Sequence, residues 1–385
     1  MNILLDFIPF QYAGGIGGAA SFTYRITEEV IKNKNKQKLF AIYDSKLPEG
    51  QLYSYKNIAI ENKIELVDRS SHDIGDIITK LKIDIWFIAI AQFYAECKLK
   101  NISCKTIMFI HDIFDIERND NRIDLMITDP HYMAKTTCIK RFANIFIGRW
   151  KKRSKKWYKN IMPLYLSPNT IAYTVSYYTR DSLRYYFNNL RNKTIRVCYS
   201  PLKEVTINLN IENKYLHDII ETKKNYILLL AADREYKNAR ILLKVFPKIK
   251  QEFPHLYLLT LNYGKSIDKQ HIDINFLSDS DLEYAYKYAK VLVFPSFFEG
   301  FGYPPIEALK YNTPSVVSNV TSIPEILGDA GIYFSPFYPA DLYRALKLAL
   351  NNTDYNKKRM EERLLFIQKK QKEDLTSLIK EILNK

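Results

Sequence analysis

Two carboxylates, Glu299 and Glu307, flank the segment Gly300-Phe301-Gly302-Tyr303-Pro304-Pro305-Ile306 in an E-x7-E spacing. The apolar run Val291–Pro295 before them reads as a buried strand, and the residues from the prolines onward as the start of a helix. Two glycines let main chain approach a ligand closely. Prolines suit a helix's first turn, where the missing N–H would have no intrahelical partner. The N–H groups and positive dipole end of such a turn favour an anion, and a diphosphate fits. A carboxylate beside a phosphate is electrostatically awkward unless it binds hydroxyls, which a sugar supplies. The plain alternative is a capped βα turn whose Glu307 complements the helix dipole. The Gly-Phe-Gly-Tyr-Pro-Pro interior favours the ligand site.

Other groups could join this chemistry. Gly14-Gly15-Ile16-Gly17-Gly18 follows the first apolar run, but its spacing is not the dinucleotide fingerprint G-x-G-x-x-G. Such a loop is as readily a turn as a phosphate cradle. His111 stands at the end of the strand candidate Thr106–Ile110, better placed than the other five histidines, with a hydrogen-bonded structural role as its alternative. Lys237 follows Tyr226–Ala231, where a solvated helix-start lysine is the alternative.

Positioning these groups takes a frame of alternating strands and helices. Asn2–Phe7, Leu39–Tyr43, Ile64–Val67, Ile83–Ile90, Thr106–Ile110 and Ile171–Val175 read as strands. The pattern resumes with Tyr226–Ala231, Leu256–Thr260, Ile274–Leu277, Val291–Pro295 and Ser315–Ser318, each followed by helix-like sequence. Such alternation implies α/β architecture with parallel sheets covered on both faces. It pauses in the polar stretch between Ser200 and Lys224. The expected layout is two Rossmann-like doubly wound domains, 1–200 and 201–385, facing across a cleft. Ligands then bind at strand carboxyl ends. The tail Lys357–Lys385 reads as one or two charged amphipathic helices able to pack back on the first domain.

At Phe298–Leu309 the chain resembles the E-x7-E donor site of the retaining glycosyltransferases of family 4, which have the two-Rossmann-domain GT-B fold. The family's other landmarks occur in its order along nearly the whole chain. They are Gly14–Gly18, Phe109-Ile110-His111-Asp112, Val175-Ser176-Tyr177-Tyr178-Thr179, Lys237-Asn238 and Ser315–Gly331. The resemblance implies that Glu299 holds hydroxyls of the donor sugar and Glu307 the nucleotide ribose. Main-chain N–H groups at Gly300, Phe301, Gly302 and Tyr303 would hold the diphosphate and sugar, and Lys237 would neutralise the leaving group. His111 would lie near the donor sugar, and Gly15 and Gly17 would bring the first loop to the phosphates. Leu277 would lead into the loop that contacts the base. No metal or other cofactor is expected, because a lysine and a helix end do that work. One departure stands out. The family usually sets an arginine or small polar residue, often after a glycine, several positions before the lysine. Here Leu230-Ala231-Ala232-Asp233 has neither, and Arg234 is the substitute cation, out of the usual register.

Charge and composition narrow the rest. The 385 residues carry 57 Lys+Arg against 42 Asp+Glu, a net +15. Residues 140–200 alone hold 14 basic side chains and one acid, Asp181, so the excess is local and not a general nucleic-acid coat. Ile139–Lys159 interleaves nine cations, Arg149, Lys151, Lys152, Arg153, Lys155 and Lys156 among them, with Phe142, Ile145, Phe146, Trp150 and Trp157. That pattern suits an interfacial helix on an anionic membrane, or a solvated helix whose aromatic face packs on the domain. Four cysteines without C-x-x-C spacing suggest reduced thiols, neither a zinc site nor a disulfide framework. No apolar run reaches the ~20 residues needed to span a bilayer, and the N-terminus does not read as a signal peptide.

The resulting expectation is a retaining hexosyltransferase. It would take GDP-mannose or a UDP-hexose as donor and a hydroxyl of a glycan or lipid-linked glycan as acceptor, in surface polysaccharide synthesis. It would be cytoplasmic and peripheral on the inner membrane face. A sugar-nucleotide epimerase or phosphorylase-like enzyme of the same architecture is the alternative. A basic membrane- or nucleic-acid-binding module with a degenerate site is the non-enzymatic one.

Overall fold

The computed structural model describes residues 1–12, 17–50, 53–97, 99–120, 149–352 and 356–384. They form two compact units. One is built from residues of 1–120, 149–203 and 369–384, the other from 204–368.

The first unit is a seven-stranded parallel sheet. Its strands are β1 (Asn2–Asp6), β2 (Lys38–Tyr43), β3 (Glu65–Asp68), β4 (Ile85–Ile88), β5 (Lys105–Ile110), β6 (Thr170–Thr174) and β7 (Ile195–Val197). They are ordered β3-β2-β1-β4-β5-β6-β7. The second is a six-stranded parallel sheet of β8 (Asn225–Leu229), β9 (Leu256–Leu261), β10 (His271–Ile274), β11 (Val291–Phe294), β12 (Ser315–Ser318) and β13 (Ile332–Phe334), ordered β10-β9-β8-β11-β12-β13. Each sheet grows outward from its first strand in one direction and then in the other. The order therefore reverses at β1/β4 and at β8/β11, which is where doubly wound sheets open a crevice at their carboxyl ends.

Burial on both faces explains the near-continuous apolar strands. In β8, Ile227 and Leu229 face one core with the helices Ala239–Glu252 and Pro339–Asn351. Tyr226 and Leu228 face the opposite core with Lys214–Glu221 and Asp279–Tyr288. In the first unit Phe22, Ile26 and Val30 are fully buried on the helix Gly18–Asn33, as their spacing requires.

Two expectations are corrected. The strand read at Ile274–Leu277 lies earlier, at His271–Ile274. There His271 and Asp273 both meet the Thr260 hydroxyl on β9, so polar side chains hold this edge strand. Leu277 lies beyond it as a buried loop residue packed on the second core. The short strands β7 and β13 were not anticipated. The tail is a single helix, Lys357–Ile382. Its last turns belong to the first unit, where Gln371 donates to the Ser200 carbonyl (2.5 Å) and Glu381 meets Arg196 and Tyr173.

The helix Arg149–Leu166 follows the same logic in its second half. Trp157, Ile161, Met162 and Tyr165 are core residues, and Trp157 stacks on Phe187. The side chains of Arg149, Lys151, Lys152, Arg153, Lys155 and Lys156 lie outside the described residues, as does everything from 121 to 148. No helix among the described residues is long and apolar enough to cross a membrane.

Candidate functional site

The reversal at β8/β11 sets two chain segments side by side. After β8 the chain turns through Ala231 at φ 51°, in the left-handed region that glycine occupies without steric cost. It then forms a 3₁₀ turn, Glu235–Lys237, with Arg234 before it. The following residue, Asn238, is also left-handed (φ 54°) and donates from its side chain to the Pro336 carbonyl (3.0 Å). The Phe297 N–H after β11 donates to the Tyr236 carbonyl (2.8 Å), tying the two segments together.

Lys237 and Glu299, 62 positions apart in sequence, meet there at 2.6 Å. Both side chains are nearly buried, at 10% and 13% exposure, so this is not a solvated surface pair. The Lys237 ammonium also lies 4.6 Å from the Phe294 ring centroid, a cation–π contact. Arg234 donates to the Tyr236 hydroxyl (3.3 Å). Burial opposes its charge, but Tyr236, Asp233 and Glu299 hold its pKa above the ordinary guanidinium value. The substitute cation thus feels the same carboxylate as Lys237.

The turn after Glu299 is held from behind. Thr321, left-handed at φ 54°, accepts the Glu299 N–H at its hydroxyl (3.1 Å). The Ser322 hydroxyl donates to the carbonyls of Glu299 (3.0 Å) and Phe301 (3.1 Å). The strand-turn segment Ser315–Gly331 therefore staples the glycine turn. Gly302 sits at φ 96°, which L side chains rarely adopt, and caps the helix Tyr303–Leu309. Pro304 and Pro305 carry no N–H, so the main-chain donors of this first turn are concentrated at Gly302, Tyr303 and the residues just before them. Glu307 lies one turn into the helix, half-buried. Burial pushes its carboxyl pKa up, while the hydrogen bond from Tyr286 and the charge of Lys310 pull it back.

In the first unit, Gly17 (φ 110°) caps the helix Gly18–Asn33, a position that requires glycine; Gly15 lies outside the described residues. His111 follows β5. Its Nε2 meets the Ala89 carbonyl (3.0 Å), and a carbonyl only accepts, so Nε2 carries the proton. Burial pushes the ring's pKa down to about 3, which keeps it neutral. Ser176 caps the helix Tyr177–Tyr186 and bonds Thr179, whose hydroxyl donates to the His111 carbonyl (3.1 Å). That explains the V-S-x-x-T pattern physically: it anchors the histidine's backbone.

The structure thus brings Lys237, Arg234, Glu299 and Gly300–Tyr303 to adjoining strand ends of one unit, with Glu307 on the helix that starts there. His111 and Gly17 belong to the other unit. Tyr286, Thr321 and Ser322 were not singled out by sequence reasoning. Among the described residues no group of three or more His, Cys, Asp or Glu could hold a metal.

Comparison with known proteins is consistent with this geometry. Over 177 residues the chain is 30% identical to the O-antigen chain mannosyltransferase RfbU of Salmonella typhimurium, covering 42% of this chain and 46% of that protein. It is 34% identical over 127 residues to the O-antigen chain mannosyltransferase B of Escherichia coli, covering 29% and 33%. The chain spans less than half the length of these relatives. Among solved structures, WaaG, a glycosyltransferase involved in lipopolysaccharide biosynthesis, superposes with TM-score 0.62 at 12% identity over 99% of both chains. A glycosyltransferase from Rickettsia africae does so with TM-score 0.59 at 15% identity over 99% and 98%. The fold is that of these two-domain α/β enzymes, the GT-B class. Residues 216–373, which contain Lys237, Glu299 and Glu307, match the glycosyl transferases group 1 family.

Proposed function

We propose that the protein is a retaining glycosyltransferase of family 4. It moves a hexose from a nucleoside-diphosphate sugar, GDP-mannose or a UDP-hexose, to a hydroxyl of a glycan or lipid-linked glycan in surface polysaccharide synthesis. The observation that carries this reading is the buried Lys237–Glu299 pair at the strand reversal, with Arg234 beside it and Glu307 on the adjoining helix. A cation suits the departing diphosphate, and a carboxylate suits sugar hydroxyls. The mannosyltransferase names of the relatives favour mannose as the hexose.

In the reaction, the bond from the sugar's anomeric carbon to the diphosphate oxygen breaks as the acceptor oxygen bonds to the same face. The acceptor proton passes to the departing diphosphate. Charge on the leaving group is met by Lys237, Arg234 and the amides of Gly300–Tyr303, which serve where other enzymes use a metal. Glu299 orients the sugar and Glu307 the ribose. His111, neutral and with Nδ1 as an acceptor, suits a sugar hydroxyl better than a phosphate. The cationic helix start at Arg149–Lys156 would bring the enzyme to an anionic membrane or a lipid-phosphate acceptor from the cytoplasmic side.

The test is transfer from a panel of nucleotide sugars by the full chain, with the product's anomeric configuration read by NMR. Glu307→Gln and Lys237→Ala should each lower kcat/KM by roughly 100-fold or more. Full activity in both variants, or turnover of donor to an epimer without acceptor, would overturn the reading.

A further inference from the structure

Glu307 is one of four charged or phenolic groups that form two rungs between the helices Asp279–Tyr288 and Tyr303–Leu309. On the first rung, the Tyr286 hydroxyl donates to Glu307 Oε2 (2.5 Å). On the second, the Lys310 ammonium donates to both oxygens of Glu283 (2.6 and 2.8 Å). Glu283 and Tyr286 are three residues apart, as are Glu307 and Lys310, so the rungs lie one helical turn from each other. The Tyr311 hydroxyl adds a third bond to Glu283 (2.5 Å). Tyr286 is fully buried, and its main chain is fixed by Thr313, whose hydroxyl donates to its carbonyl (2.7 Å).

Two consequences follow from this pairing. Among the described residues, Tyr286 is the hydrogen-bond partner of Glu307, and it occupies one oxygen. Oε1 keeps its accepting capacity. Lys310, which caps the C-terminal end of the same helix, would pair with Glu307 at i,i+3 if nothing else held it. Glu283 holds it by a twofold bond from the facing helix. The arrangement therefore solves a competition: a carboxylate meant to accept from neutral hydroxyls must be kept from its own helix's lysine.

We infer that Tyr286 and Glu283 are positioning residues for nucleotide recognition, Tyr286 by fixing the Glu307 carboxylate with one oxygen presented to ribose hydroxyls, Glu283 by sequestering Lys310. The inference rests on the reading of Glu307 as the ribose-binding group. It adds residues that never touch the ligand and yet set its affinity.

The experiment measures the Kd of GDP and of UDP, and of each one's 2′,3′-dideoxy counterpart, by titration calorimetry on the full chain. The ratio of dideoxy to ribo Kd cancels any loss of folded protein. For the native chain it should be roughly tenfold or more for the diphosphate that binds, the weight of a hydrogen bond to a charged group. Glu307→Ala should bring it near one. Tyr286→Phe and Glu283→Gln should each lower it to about threefold or less, and Lys310→Met added to Glu283→Gln should restore it. If Glu307→Ala collapses the ratio while Tyr286→Phe and Glu283→Gln leave it at the native value, the inference fails and the ribose reading stands. If Glu283→Gln lowers the ratio and Lys310→Met does not restore it, sequestration of Lys310 is refuted. If Glu307→Ala leaves the ratio unchanged, or neither diphosphate binds, the ribose reading and the inference fall together.

Discussion

Replacing Lys237 by methionine is the sharpest test of the site's physical basis, because it can be read on stability without any substrate. Methionine keeps the stem and its packing on the Phe294 ring, 4.6 Å from the native ammonium, and removes only the charge. At 2.6 Å and an effective dielectric near 20, the Lys237–Glu299 attraction is about 6 kcal/mol before desolvation is subtracted. Removing one partner of a buried pair leaves the other charge uncompensated, at a cost of about 3–5 kcal/mol. Arg234 still acts on Glu299, so the lower end applies, about 3 kcal/mol. For a unit of this size that is a fall in Tm of about 6–12 °C. Glu299→Gln should cost a similar amount. The double variant Lys237→Met/Glu299→Gln removes both charges and should lie within about 1 kcal/mol of the native protein. Thermal melting followed by circular dichroism measures all three. A single-variant loss below about 1 kcal/mol would show that the pair behaves like a solvated one. A double-variant loss equal to the sum of the singles would show no coupling. Either result refutes the argument.

The neutral histidine makes a pH prediction. His111 has its pKa pushed down to about 3 by burial, while the unfolded chain binds a proton near 6.5. Its contribution to stability is therefore complete above pH 6.5 and is lost as the pH falls toward 3, a loss of roughly 2 kcal/mol by pH 5. His111→Gln should show a flatter dependence of Tm on pH between 6.5 and 4; a native-minus-variant difference that is constant over that range contradicts the assignment. The basic helix start gives a binding prediction. Replacing Lys151, Lys152, Arg153, Lys155 and Lys156 by serine should weaken sedimentation with phosphatidylglycerol-containing vesicles, at about 1 kcal/mol per cation in low salt, and leave nucleotide affinity intact. Unchanged vesicle binding would make that charge a solvated face.

Much of this was legible in the sequence, and the limits have physical causes. Strands such as β1, β5 and β11 are buried on both faces, so they stand out as continuous apolar runs. β10 is half polar because His271 and Asp273 bond Thr260, and its apolar signal is displaced onto Phe276 and Leu277 beyond its end. β7 and β13 have three residues each, too few for a period to register. The glycine turn was legible because Glu299, Gly302 and Glu307 lie within one βα unit, where spacing fixes geometry. Tyr286 was not, since its tie to Glu307 depends on two helices meeting across 21 residues. The adequacy of Ala231 was equally hidden: its left-handed φ appears only in the backbone, and spacing alone suggested a missing glycine.

That alanine bears on how the second cation reaches the site. A residue with a Cβ in the left-handed region costs about 1–2 kcal/mol. The chain bears that cost at Ala231, where Ala232 N–H bonds Leu261 (2.8 Å) and Arg234 N–H closes back on Ala231 (3.2 Å), so the turn is over-determined from both sides. The hydrogen bond from the Phe297 N–H to the Tyr236 carbonyl ties the 3₁₀ turn to the segment after β11, and that register places Lys237 against Glu299 and Arg234 within its field. Under the proposed reading, the ion pair serves the unbound protein by compensating two buried charges. A nucleotide sugar offers both partners a replacement, phosphate oxygens for the lysine and hydroxyls for the carboxylate. A carboxylate at a phosphate site is then no paradox, because it is neutralised by the same lysine until a ligand carrying both kinds of group separates them.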